Sequence, residues 1–140
     1  MNVAISETGA TLRHPRPSPA PVFVIDDDEA VLDSLQSLLD AEGFEVTGFA
    51  SAATALTAIE HGPPACLVLD LHMPVVSGLD LMGRLAERGI EVPVVVITGK
   101  FDRQTAERAR AAGAQAVLRK PFAASELMDA IERALATGHT

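Results

Sequence analysis

Five short apolar runs punctuate the chain, and between them apolar residues recur at three- and four-residue spacing. Val22-Phe23-Val24-Ile25, Cys66-Leu67-Val68-Leu69 and Val94-Val95-Val96-Ile97 are continuous rather than alternating. Continuous runs of this length predict strands covered on both faces, as in a parallel sheet between helical layers. Phe44 to Phe49 alternates more weakly and suits an edge strand. Ala116-Val117-Leu118 is the shortest run and predicts a last strand leading to Lys120-Pro121.

The intervening segments carry helical periodicity with recognisable ends. Val31, Leu32, Leu35, Leu38 and Leu39 predict a helix over Glu29 to Glu42, stopped by Gly43. Ser51 is a natural N-cap for a helix through Ala55, Leu56 and Ile59, which Gly62-Pro63-Pro64 ends. Leu79, Met82, Leu85 and Ala86 place a third helix over Ser77 to Arg88, closed by Gly89. A fourth, Asp102 to Ala112, has only Ala106, Ala109 and Ala112 as its apolar face and is expected to be the least firmly anchored. Leu127, Ile131 and Leu135 turn inward on a fifth helix, Ser125 to Ala136.

Five strands alternating with five helices through short loops mean right-handed βαβ units, an α/β fold with a doubly wound, five-stranded parallel sheet. One domain, 22–136, accounts for the pattern. Before it, Pro15, Pro17, Pro19 and Pro21 alternate through a segment with few large apolar residues, so 1–21 is expected to be a disordered tail. The stretch 137–140 is expected to be a short stub.

Composition narrows the function. Nearly half the residues, 48%, are hydrophobic, enough for a core in a 140-residue chain. No apolar run is long enough for a membrane span or a signal peptide, so a cytoplasmic, membrane-free protein is expected. Cys66 is the only cysteine, which excludes an internal disulfide and a cysteine-based metal site. The net charge of -8 opposes direct binding to nucleic acid. Against that background, Lys100 to Lys120 carries six basic residues and only Asp102 and Glu107 as acids, a candidate partner surface.

The chemistry lies where the strands end. Asp26-Asp27 follow the first strand, Asp70 the third, Thr98 the fourth and Lys120 the fifth. In a parallel sheet these ends share one edge, the edge where ligands bind in open α/β sheets. Any one of them could be an ordinary cap or solvated residue, but capping does not explain all of them together. Two carboxylates 4 Å apart repel by about 4 kcal/mol at an effective dielectric near 20. A divalent cation removes that cost, and an all-oxygen site with few carboxylates suits Mg²⁺. A cation beside an Asp nucleophile, with a lysine and a hydroxyl for the remaining oxygens, is a phosphoryl-transfer arrangement.

These residues resemble the receiver domains of bacterial response regulators in two-component signalling. The marks are Val24-Ile25-Asp26-Asp27-Asp28, then Leu69-Asp70-Leu71-His72-Met73-Pro74 with Gly78, then Val96-Ile97-Thr98-Gly99, then Gly113-Ala114 and Lys120-Pro121-Phe122. The resemblance implies a flavodoxin-like fold with strand order 2-1-3-4-5. It implies that Asp70 is the phosphoacceptor, taking its phosphoryl group from a sensor histidine kinase or a histidine phosphotransfer protein. Asp26, Asp27, Asp70 and the backbone carbonyl of His72 would hold Mg²⁺. Thr98 and Lys120 would bind the phosphoryl oxygens, and Lys120-Pro121 would be cis. The His72 side chain, in a loop after a strand, is expected to point outward. Phosphorylation would switch a downstream protein partner through the fourth helix, the last strand and the fifth helix, with homodimerisation as one form of output.

One position departs from the family pattern. An aromatic switch residue is usual three positions before the lysine, and here Val117 stands there. The signal is therefore expected to pass through the basic stretch from Lys100 to Arg119. Other readings compete with a phosphorylated signalling domain that is not an enzyme. A phosphohydrolase with an Asp nucleophile would need a second Asp at position 72, which is His. A degenerate receiver acting by contact alone, or the receiver portion of a DNA-binding regulator, are the alternatives that keep the fold.

Overall fold

A computed structural model describes residues 20–73, 75–99 and 103–137. The expected tail over 1–19, and the stub after Thr137, lie outside the described residues, as do Pro74 and 100–102. The elements run in the order β1 (Pro21–Ile25), α1 (Glu29–Ala41), β2 (Glu45–Phe49), α2 (Ala52–His61) and β3 (Cys66–Asp70). They continue with α3 (Gly78–Glu87), β4 (Val94–Thr98), α4 (Arg103–Ala111), β5 (Ala114–Arg119) and α5 (Ala124–Thr137). All strands are parallel and lie in the order β2-β1-β3-β4-β5. This is the flavodoxin-like order 2-1-3-4-5.

Strand periodicity splits the core into two layers. Val22, Val24, Cys66, Val68, Val95 and Ile97 face one side of the sheet, packing with Leu32, Leu35 and Leu39 of α1 and Leu127, Met128 and Ile131 of α5. Their neighbours Ile25, Leu67, Leu69, Val94 and Val96 face the other side, against Leu56 and Ile59 of α2, Leu81, Met82 and Leu85 of α3, and Ala109 of α4. Successive side chains alternate between faces, so a continuous apolar strand feeds both layers. Every residue of β3 and β4 is buried, Asp70 and Thr98 included.

Helix starts are set by local chemistry. The Asp28 carboxylate accepts from the N–H groups of Ala30 and Val31 at the start of α1. Ser51 caps α2 through the Thr54 N–H. Ser77 and Asp80 form a reciprocal capping box on α3. Each such cap satisfies backbone donors that have no partner inside the helix.

Some boundaries differ from the sequence expectation. Pro21, assigned to the unpaired tail, is the first residue of β1, pairs in register with Glu45, and accepts from the Ala65 N–H. Proline can open a strand because only its missing N–H is lost to the ladder. β5 is longer than the Ala116–Leu118 run that predicted it, starting at Ala114 and ending at Arg119. The apolar face of α4 ends at Ala109: Ala106 and Ala109 are buried, whereas Ala112 lies past the helix and is exposed.

Candidate functional site

The carboxyl ends of β1, β3, β4 and β5 bring the expected polar residues together. Asp26 follows β1 with its backbone N–H donated to the Phe49 carbonyl, and its side chain is fully buried. Its Oδ1 accepts the Asp28 N–H at 2.9 Å. The other oxygen, Oδ2, lies 3.3 Å from the Lys120 ammonium. Asp70 ends β3 at 4% exposure; its Oδ1 accepts the His72 N–H at 3.1 Å, and its Oδ2 stands 3.7 Å from the Lys120 Nζ. Asp27 is exposed at the rim, with a carboxylate oxygen within 4.8 Å of those of Asp26 and Asp70.

Lys120 is placed by the backbone as well as by charge. Its N–H donates to the Thr98 carbonyl at 2.8 Å, and the Lys120-Pro121 peptide is cis, as the sequence resemblance implied. The turn directs the lysine across the strand ends, where it meets two of the three acids. Among the described residues, one cation meets three carboxylates here, an excess of negative charge. Burial is the first reason that the Asp70 carboxyl is pushed above its ordinary range; the neighbouring Asp26 and Asp27 push the same way, while the His72 N–H and Lys120 oppose.

The three acids offer only hard carboxylate oxygens, each able to give one ligand atom to a common point. That donor set fits a hard divalent cation and does not fit a soft, thiol-loving one. Thr98 closes the group: it ends β4, is fully buried, and lies next to Arg119 of β5 in register.

Two features were not legible from the residues. The His72 ring does not simply point to solvent: its Nε2 lies 2.9 Å from the Thr98 Oγ1, which corrects the outward expectation. The residue remains exposed overall, so the ring leans along the surface of the site. A loop position says nothing of which neighbour a side chain leans on. Gly78 is the other. A β-carbon there would stand 2.7 Å from the Asp70 carbonyl oxygen and 2.9 Å from the Leu71 Cα. Only glycine lets the start of α3 approach the backbone of the acid-bearing strand, where the Gly78 N–H donates to the Leu71 carbonyl at 3.0 Å. Gly78 stood among the sequence marks, but no spacing rule discloses a contact with a strand eight residues earlier.

A parallel sheet in the 2-1-3-4-5 order, with buried acids, a threonine and a lysine at its carboxyl edge, defines a response regulator receiver fold. The family model for the response regulator receiver domain matches residues 22–132, and the chain belongs to that family. The response regulator protein TodT of Pseudomonas putida is 40% identical over 124 residues, covering 89% of this chain and 55% of TodT. The transcriptional regulatory protein FixJ of Azorhizobium caulinodans is 41% identical over 119 residues, 85% of this chain and 56% of FixJ. The chain thus spans about half the length of the curated relatives it matches. Among solved structures, FixJ-N superposes with a TM-score of 0.80 at 36% identity, covering 88% of this chain and 97% of that one. A response regulator receiver domain from Clostridium thermocellum gives 0.79 at 30% identity, over 84% and 95%. Receiver domains of this family interact with histidine kinases and downstream effectors, and Mg²⁺ and phosphoaspartate are typical of them. Among the described residues, no helix is long and apolar enough to cross a membrane.

Proposed function

We propose that this chain is a phosphoacceptor receiver in which Asp70 takes a phosphoryl group from a histidine kinase or a histidine phosphotransfer protein. The observation that carries the reading is the convergence of Asp26, Asp27 and Asp70 with Lys120 reaching two of them. An Asp70 carboxylate oxygen attacks phosphorus, the phosphorus–nitrogen bond to the donor histidine breaks, and an acyl phosphate remains. Asp26, Asp27, Asp70 and the His72 backbone carbonyl would hold Mg²⁺. When bound, the cation neutralises the acids and the incoming phosphoryl oxygens. Lys120, held by its backbone bond to Thr98 and by Asp26, supplies a positive charge to one phosphoryl oxygen. The Thr98 hydroxyl donates to another.

The receiver unit, expected over 22–136, takes in Pro21 and Thr137 as the ends of β1 and α5, and works in the cytoplasm as a signalling domain rather than as an enzyme on a separate substrate. Its output is a changed surface on α4, β5 and α5, read by a downstream protein or by a second copy of the chain. Val117 is half-buried against the α2–α4 core layer and takes the place of the usual aromatic switch. A second reading is favoured by the names of relatives such as FixJ and by their extra length: the receiver of a transcriptional regulator, controlling a DNA-binding output.

Borohydride reduction after incubation with a small phosphodonor tests the assignment, because it converts an aspartyl phosphate to homoserine. Peptide mapping is expected to find homoserine at position 70. Homoserine at another aspartate, or at none, would contradict the proposal.

A further inference from the structure

We infer that the amino-terminal segment Leu12 to Arg16 docks on its own domain, over a groove between α3 and α4 at the sheet edge opposite the acids. The groove encloses about 380 Å³, at the small end of ligand clefts, and suits a few side chains rather than a helix. Met82 and Leu85 of α3 and Val94 of β4 are its buried wall, and Ile90 and Val92 are half-buried beside them. Glu91 is the only charged residue of the lining; it is exposed and has no ion pair among the described residues.

The groove lies close to where the tail enters the sheet. The loops that border it, α3 to β4 and α4 to β5, both precede strands, so it opens at the amino edge, where β1 also begins. Val22 pairs with Cys66 and Leu67 with Val94, and the Ala65 N–H donates to the Pro21 carbonyl. Continued back along the strands, that register sets Pro21 level with Ala65 and Ala65 level with Val92. Two strand spacings, about 10 Å, therefore separate the start of β1 from the groove. Pro17, Ser18 and Pro19 span about 9 Å as polyproline II, which brings Arg16 to the groove and leaves Leu12 to Pro15 to cross it.

Composition fits the same segment. From Thr8 to Pro21, Leu12 is the only large aliphatic residue, and Arg13 and Arg16 stand without an acid. Polyproline II repeats every three residues, so Leu12 and Pro15 share one edge and Arg13 and Arg16 the next. The first edge fills the groove, and the second meets Glu91. Pro15, Pro17 and Pro19 hold the segment extended before it binds, which lowers the entropy lost on docking. Occupancy adds apolar contact beside the end of α4, whose own buried residues are Ala106 and Ala109.

The test is methyl NMR on the full chain. Native protein is expected to show nuclear Overhauser contacts from the Leu12 methyls to those of Leu85, Ile90 or Val92. Leu12→Ser, a change outside the folded domain, is expected to shift the Ile90 and Val92 methyls. Glu91→Arg is expected to lower the ratio of docked to free tail about 2- to 10-fold, the scale of one surface ion pair lost and reversed. Adding Arg13→Glu and Arg16→Glu to that variant is expected to restore the ratio. No contact from Leu12 to the groove, or groove methyls that stay at native shifts in Leu12→Ser, would overturn the inference and leave the groove to a different partner. Contacts found only between chains, in an isotope-filtered mixture of labelled and unlabelled protein, would overturn docking on the chain's own domain in favour of a second copy. Failure of the charge exchange to restore docking would overturn the pairing with Glu91.

Discussion

Replacing Gly78 by alanine adds one carbon at the place where α3 meets the acid-bearing strand. That carbon would lie 2.7 Å from the Asp70 carbonyl oxygen and 2.9 Å from the Leu71 Cα, while ordinary contact starts at 3.4 Å. The backbone must therefore open by 0.7 Å at the first atom and 0.5 Å at the second. Both atoms belong to backbone and have no rotamer by which to escape. Overpacking of this kind costs about 1–3 kcal/mol, and the better helix propensity of alanine returns at most about 1. A net loss of about 1–2 kcal/mol would lower Tm by about 4–8 °C in a domain of this size. The shift falls on Asp70 itself, so phosphorylation by acetyl phosphate is expected to slow about tenfold, in line with the sensitivity of positioned groups to sub-ångström displacement. Gly83, also in α3, is the control, because a β-carbon there meets nothing within 4 Å. Gly83→Ala is expected to stabilise by up to about 1 kcal/mol and leave the rate unchanged. Thermal unfolding and intact-mass kinetics on the two variants read both effects. A Gly78→Ala chain as stable and as reactive as native would refute the claim that close approach at the site requires glycine.

Asp70→Asn is expected to raise Tm at pH 7 in the presence of a chelator. Burial lifts the folded-state pKa of Asp70 above 3.8, so its ionised form costs stability at neutral pH, and that cost is relieved as pH falls through the raised value toward 3.8. The advantage of the Asn variant should shrink over the same interval, and a constant difference would contradict it. Mg²⁺ is expected to stabilise the native chain by about 2.7 kcal/mol at a hundredfold excess over its dissociation constant, and to stabilise Asp27→Asn much less; equal shifts would remove Asp27 from the metal site. Ser77→Ala breaks the capping box of α3 and should cost about 0.5–2 kcal/mol in denaturant titration. Cys66 is fully buried, with its thiol pushed up to about 12, so a disulfide reagent should label it only as fast as the domain unfolds.

The layered sheet was readable because β1, β3 and β4 are uninterrupted apolar runs, and only a sheet covered on both faces can bury such runs. The site was readable for a related reason: strand ends in a parallel sheet converge, so Asp26, Asp70, Thr98 and Lys120 could be placed on one edge without knowing any distance. Pro21 was misplaced because proline-rich composition hides that its carbonyl can still join the ladder. The Thr98–His72 bond and the close approach of Gly78 were hidden for another reason. Each depends on which side chain or backbone atom lies opposite in three dimensions, and neither leaves a periodic trace.

The most direct test of the central claim is the intact mass of the native chain and of Asp70→Asn after incubation with acetyl phosphate or phosphoramidate, with and without Mg²⁺. The account predicts that the native chain gains one phosphoryl group only when Mg²⁺ is present, and that Asp70→Asn gains none. No gain by the native chain with Mg²⁺ present, or an equal gain by the variant, would contradict it.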